Sequence, residues 1–210
     1  MSSPIDPAEL TRRLQGLNLY LVGMMGAGKS AVGRPLADAL GYRYLDADQV
    51  LEQAAGCSIP AIFESEGEEG FRTLETSVLD RITGWHSLVV ATGGGVVTRP
   101  VNWGHLRQGV VIWLDASPNL LLERLQADPT PRPLLATEDP AARLETLLQA
   151  RRPLYAQADL RVEQLGGDAP QTVAQRVLEA LPTILKDRPQ APAAPAQLQD
   201  GDGRLTQSLN

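Results

Sequence analysis

Short apolar runs alternate with longer amphipathic stretches through the middle of this chain. The runs at 19–22, 42–45, 88–91, 110–114 and 160–162 are brief and apolar, as strands buried on both faces are. Helical periodicity and cap signals mark 29–40, 47–55, 59–65, 68–83, 99–107, 118–126, 140–157 and 170–181. Ser117-Pro118, Asp139-Pro140 and Asp168 ahead of Pro170 supply cap residues followed by early prolines. The alternation predicts an α/β fold of three layers, a five-stranded parallel sheet sandwiched by helices. The domain is expected over 18–186. A leader precedes it at 1–17, with a helical stretch at 7–15 packed on the outside, and the Pro-, Ala-, Gln- and Gly-rich tail at 187–210 has too little to bury and is expected to be disordered.

Composition narrows the partners. The chain has 210 residues, 43% hydrophobic, with a net charge of −6, which disfavours both a disordered chain and a general polyanion-binding surface. Nucleic acid is therefore not an expected partner, and arginines gathered at a site become local devices aimed at a small anion. The single Cys57 cannot form an internal disulfide and fits a reducing compartment. The N-terminus lacks the basic-then-apolar order of a secretory signal, and no stretch reaches the roughly 18 apolar residues of a membrane span. A cytoplasmic monomer with no membrane contact is the expectation.

Chemistry begins at residues 23–30. Gly23-Met24-Met25-Gly26-Ala27-Gly28-Lys29-Ser30 is a complete G-x-x-x-x-G-K-S phosphate loop between a predicted strand and a predicted helix. Its glycines let backbone N–H groups converge on an anion, Lys29 reaches the β- and γ-phosphates, and the Ser30 hydroxyl ligates Mg²⁺. Gly26, Ala27, Gly28, Lys29, Ser30 and Ala31 thus form the nucleotide-binding stretch, with the positive end of the following helix at the same spot. In such a sheet, ligands sit beyond the carboxyl ends of the strands. Two further motifs obey that rule, Asp46-Ala47-Asp48 after the second strand and Thr92-Gly93-Gly94-Gly95 after the third.

Each of these has two readings. One carboxylate of Asp46 and Asp48 can help hold Mg²⁺ while the other orients or deprotonates an acceptor hydroxyl; alternatively, Asp48 caps the next helix. The glycine triplet allows a backbone to approach a ligand, or a tight turn against a helix. Arg72 borders the inward stripe formed by Phe71, Glu75, Val78 and Ile82, and Arg151 continues the stripe of Leu144, Leu147 and Leu148. An inward guanidinium calls for an anion. Glu75 is able to neutralise Arg72 in a purely structural pair, but one glutamate is insufficient for two arginines, and a small anionic substrate would supply the missing charge. The Pro-rich segment 128–135 reads as a lid whose Arg132 closes over the γ-phosphate, unless it is simply a solvated arginine. His86 and His105 touch none of these motifs, and Trp85, Trp103 and Trp113 are assigned to packing.

Together the set resembles shikimate kinase from about residue 18 to 181. The resemblance is carried by 23–30, Asp46-Ala47-Asp48, Ile62-Phe63, Phe71-Arg72-Thr73-Leu74-Glu75, Gly93 to Gly95, Arg132-Pro133-Leu134-Leu135 and Arg151-Arg152-Pro153-Leu154-Tyr155, in that order and spacing. It implies the fold of nucleoside monophosphate kinases, with strand order 2-3-1-4-5, and transfer of the ATP γ-phosphoryl group to the 3-hydroxyl of shikimate. It also implies that Arg72 and Arg151 bind the substrate carboxylate and that Asp48 contacts the reacting hydroxyl, leaving Asp46 with Ser30 for Mg²⁺. By the same resemblance, Gly94 and Gly95 touch substrate through the backbone, Phe63 and Phe71 form apolar walls, Arg132 is the lid arginine and Arg124 stacks on adenine. The rivals are another P-loop kinase of gluconate or nucleotide type, and a non-catalytic nucleotide-dependent binding module.

Overall fold

The computed structural model describes residues 6–128 and 132–185. The expected tail at 187–210 and the centre of the expected lid lie outside the described residues. The sheet is made of β1 (Leu19–Val22), β2 (Arg43–Asp46), β3 (Leu88–Ala91), β4 (Val110–Ala116) and β5 (Leu160–Gln164). All neighbouring strands pair in parallel, in the order β2-β3-β1-β4-β5. The helices are α1 (Pro7–Leu14), α2 (Lys29–Leu40), α3 (Ala47–Ala55), α4 (Ile59–Thr83), α5 (Pro100–Leu106), α6 (Pro118–Ala127), α7 (Pro140–Tyr155) and α8 (Pro170–Ala180).

Two apolar cores, one on each face of the sheet, follow from this layering. The first unites α1, α2, α6 and α8 through Leu10, Leu36, Leu121 and Val177; the second joins α3, α4, α5 and α7 through Leu51, Val78, Trp103 and Tyr155. Central strands β1, β3 and β4 are buried throughout, which is why they are continuous apolar runs in sequence. β2 and β5 form the edges and carry exposed residues, so burial on both faces does not hold for them.

The strand ends differ from expectation in one consistent way. β2, β4 and β5 run on to Asp46, Ala116 and Gln164, because the parallel ladder continues through Asp46 opposite Ala91 and Ala116 opposite Gln164. Polar residues at the carboxyl ends concealed this extension, and those ends carry the chemistry. α4 is continuous only nominally: Gly67, at φ 69° and ψ −173°, breaks it between the two helical stretches read from sequence. Ser117 and Asp139 cap α6 and α7 by accepting from Leu120 N–H and Ala142 N–H. Asp168 does not cap α8; its carboxylate instead accepts from Leu165 N–H and pairs with Arg176, leaving Ala169 at the cap position.

Candidate active site

The phosphate loop leaves β1 and enters α2 through backbone conformations that require glycine. Gly23, Gly26 and Gly28 have φ of 145°, 79° and 73°, and a Cβ on Gly23 would lie 2.6 Å from the Leu114 carbonyl oxygen. Gln164, at the end of β5, ties the loop to the sheet by donating to the Ala27 carbonyl at 2.8 Å. Lys29 curls back over the loop and donates to the carbonyls of Gly23 and Met24 at 2.9 and 3.0 Å. Burial pulls its ammonium down to about 8, opposed by Asp48 and Asp46 nearby. Its charge is thus held in a dry place by carbonyl dipoles.

Asp46 and Asp48 divide their labour. Asp46 Oδ1 accepts from the Asp48 N–H at 3.1 Å and so caps α3. Its Oδ2 accepts from Ser30 Oγ at 2.8 Å and from the Tyr44 hydroxyl at 3.1 Å. The capping role considered for Asp48 therefore belongs to Asp46, and the Asp48 side chain is left for the cavity. Burial raises the Asp48 carboxyl, Asp46 adds to the rise, and Lys29 opposes it.

Two cavities meet along this pair. A smaller one, of about 330 Å³, is lined by Gly26, Gly28, Lys29, Ser30, Ala31 and Arg124. A larger one, of about 600 Å³, is lined by Phe63, Phe71, Arg72, Glu75, Gly95 and Arg151. Asp46, Asp48, Gly94 and Arg132 border both. The Phe63 and Phe71 rings lie against each other, centroids 4.7 Å apart, and form an apolar wall. Arg124 sits over the loop, donating to Gln164 at 3.0 Å and to the Gly26 carbonyl at 3.4 Å. Arg132 donates to Asp128 at 2.7 Å.

The two inward arginines are not alike. Both are only 5% exposed. Arg72 donates to Glu75 at 2.9 Å and to Glu68 at 3.1 Å, so the protein supplies it with two carboxylates. Glu75 is the protein partner expected for Arg72 from sequence; Glu68, one helical turn before Arg72, is a second one. Arg151 donates to the Gly94 carbonyl at 3.4 Å, lies 3.9 Å from the Met24 sulfur and interacts with the Tyr155 hydroxyl. Among the described residues no carboxylate lies within ion-pair distance of it. Glu75 Oε1 is buried without a hydrogen-bond partner among those residues, and burial raises its carboxyl despite Arg72.

The glycine triplet answers to side chains as much as to any ligand. A Cβ on Gly93 would lie 2.5 Å from Glu75 Oε1, and one on Gly95 would lie 2.2 to 2.3 Å from the Arg72 guanidinium. A Cβ on Gly94 would meet the phosphate loop at Met25 N, 3.2 Å away. The triplet is the slot through which Arg72 and the loop come together. Sequence reading missed Glu68, the Tyr44 hydroxyl on Asp46, Gln164 on the loop, and the Tyr155 hydroxyl that donates to the Gly94 carbonyl. Only Glu68 had a readable signal, its spacing of four from Arg72.

Comparison with known proteins agrees with this geometry. The family model described as shikimate kinase matches residues 25–182. A shikimate kinase of Synechococcus sp. (strain RCC307) is 64% identical over 193 residues, covering 91% of this chain and 96% of that protein. Among solved structures, shikimate kinase from Acinetobacter baumannii in complex with shikimate superposes with a TM-score of 0.78 at 42% identity, over 83% of this chain and 97% of that one. Shikimate kinase from Aquifex aeolicus gives 0.69 at 33% identity, over 79% and 96%. A strand–loop–helix glycine cradle beside a cavity lined by two buried arginines is thus joined to sequence identity across nearly the whole domain: this chain belongs to the shikimate kinase family.

Proposed function

We propose that this chain transfers the γ-phosphoryl group of ATP to the 3-hydroxyl of shikimate, releasing ADP and shikimate 3-phosphate, by means of the residues lining the two joined cavities. One observation carries the division of roles: Arg151 is buried beside the phosphate loop, and among the described residues no carboxylate pairs with it. A buried guanidinium in that state costs free energy unless an anion completes it, and a planar carboxylate accepts two parallel, charge-assisted bonds from such a fork. The acid end of shikimate meets that need. Arg72 joins the grip from α4, and Phe63 and Phe71 cover the apolar side of the ring. Family membership favours shikimate over a gluconate- or nucleotide-type acceptor, and a catalyst over a non-catalytic module.

On the nucleotide side, residues 26–31 bind the phosphates through backbone N–H groups and Lys29 turns from its two carbonyls to their oxygens. Arg132 approaches from the lid, and Arg124 lies where it can flank the base. A magnesium ion fits Ser30 and Asp46: their hydroxyl and carboxylate oxygens are hard donors 2.8 Å apart, too few to form a cage and so compatible with an ion that keeps water and phosphate oxygens around it. When bound, that ion neutralises phosphate charge and aligns the transferring group. Asp48 orients the acceptor hydroxyl, and its raised carboxyl suits it to take the proton as the new bond forms. Positioning and charge stabilisation carry most of the acceleration in such a transfer.

The test is a coupled assay of ADP release with and without shikimate, run on the wild type and on Arg151→Lys. Shikimate-dependent turnover is expected for the wild type. For Arg151→Lys the KM for shikimate should rise roughly a hundredfold, with KM for ATP nearly unchanged, since lysine offers a point charge in place of a fork. Equal KM values in the two proteins would refute the assigned role.

A further inference from the structure

Asp115 is a buried acid that none of the steps above uses. It stands near the carboxyl end of β4, 4% exposed, between two half-exposed arginines. Arg152 donates to its Oδ2 at 2.9 Å; Arg161 donates to the same oxygen through Nε at 2.9 Å and approaches it through Nη2 at 2.6 Å. Both guanidinium groups also lie over the ring of Trp113, at 5.5 and 5.0 Å. Trp113 also stacks with Tyr155, centroids 5.9 Å apart, and the Tyr155 hydroxyl donates to the Gly94 carbonyl.

These contacts grip the last turn of α7, the turn that carries Arg151. That turn is weak in itself. Pro153 has no N–H to offer the Gln149 carbonyl, so the helical ladder loses a rung just beyond the arginine pair. Tertiary anchors must then fix its rotation. Tyr155 supplies one at Gly94, and Asp115 supplies the other through Arg152. Consecutive helical residues point about 100° apart, so fixing the direction of Arg152 also fixes the direction of Arg151.

We propose that Asp115 is a positioning residue: by holding Arg152 at the end of β4 it sets the rotation of the last turn of α7, and so aims Arg151 at the carboxylate of the acceptor. This rests on the reading of Arg151 given above. Arg161 serves as the internal control, because it makes the same kind of ion pair with Asp115 from β5 and its loss leaves α7 tethered.

The experiment compares Arg152→Ala, Arg161→Ala and Arg152→Lys by steady-state kinetics and thermal unfolding. Both exposed arginines are dispensable for folding by their location, which avoids emptying the buried Asp115 site directly. Arg152→Ala should raise the KM for shikimate about tenfold while KM for ATP and kcat at saturating shikimate stay near wild type. Arg161→Ala should lower Tm comparably yet leave the KM for shikimate within about twofold, and Arg152→Lys should recover most of the lost affinity. Equal shifts of the shikimate KM in the two alanine variants, or a lowered Tm with no change of KM in Arg152→Ala, would overturn the proposal. Failure of the underlying reading is distinguishable: in that case Arg151→Lys itself would leave the KM for shikimate unmoved.

Discussion

Around the nucleotide cavity, most of the groups that would meet phosphate come from one unbroken stretch at 23–31, as backbone N–H groups held by glycine conformations at Gly23, Gly26 and Gly28, with Arg132 added from the lid. Around the acceptor cavity they are side chains delivered by α3, α4 and α7, together with the bare backbone of the turn after β3. The first region depends on local chain geometry and tolerates change in its surroundings. The second depends on the registration of four elements, so its function can be lost from positions that never touch a ligand. Their partners separate them as well: Lys29 rests on two neutral carbonyls, whereas Arg72 is already engaged by two carboxylates.

The comparison can be broken at its strongest point by Lys29→Ala. Removing the Lys29 ammonium should cut kcat/KM by on the order of a thousandfold for either substrate, read in the ADP-release assay, because charge stabilisation is the main catalytic device in phosphoryl transfer. Gly95→Ala attacks the other side. A methyl group there occupies the position of the Arg72 guanidinium, so kcat/KM for shikimate should fall about a hundredfold while nucleotide affinity, followed by titration calorimetry, stays close to wild type. An equal loss of both affinities would show that the two regions are not separable.

Two smaller effects sharpen the contrast. Because the free-protein ammonium of Lys29 is lowered to about 8, it is charged at pH 7 and mostly neutral at pH 9. The charged form is the one that binds phosphate, so ATP affinity should weaken by about tenfold over that interval in calorimetric titrations; a flat profile would contradict the lowered value. Glu68→Gln removes a half-exposed carboxylate that competes with an acid ligand for Arg72. The KM for shikimate should then drop by roughly two- to threefold, the modest size expected of an exposed ion pair.

Much of this was legible because it is local. The phosphate loop needs only its own eight residues, and the break at Gly67 separates two helical stretches whose periodicities can be read apart. Arg72 and Arg151 betray themselves by lying beside apolar stripes. What was not legible involves partners distant in sequence. Nothing near Asp115 announces Arg152 and Arg161, nothing near Ala27 announces Gln164, and the Tyr155 hydroxyl finds Gly94 only because β3 and α7 meet across the second core. Asp46 illustrates the intermediate case. Asp48 is the cap considered from sequence, but α3 starts at Ala47 as expected, and Asp46, the last residue of the extended β2 ladder, takes the cap position.

Gly67 has a consequence for the acceptor cavity as a whole. Ile59, Pro60 and Phe63 line it from one side of the break, and Phe71, Arg72 and Glu75 line it from the other. A Cβ at this point would meet nothing within 4 Å, so the position is reserved for glycine by handedness alone, not by crowding. A single peptide of reversed hand bends one helix into a jaw, and the gape of that jaw is written in one φ angle.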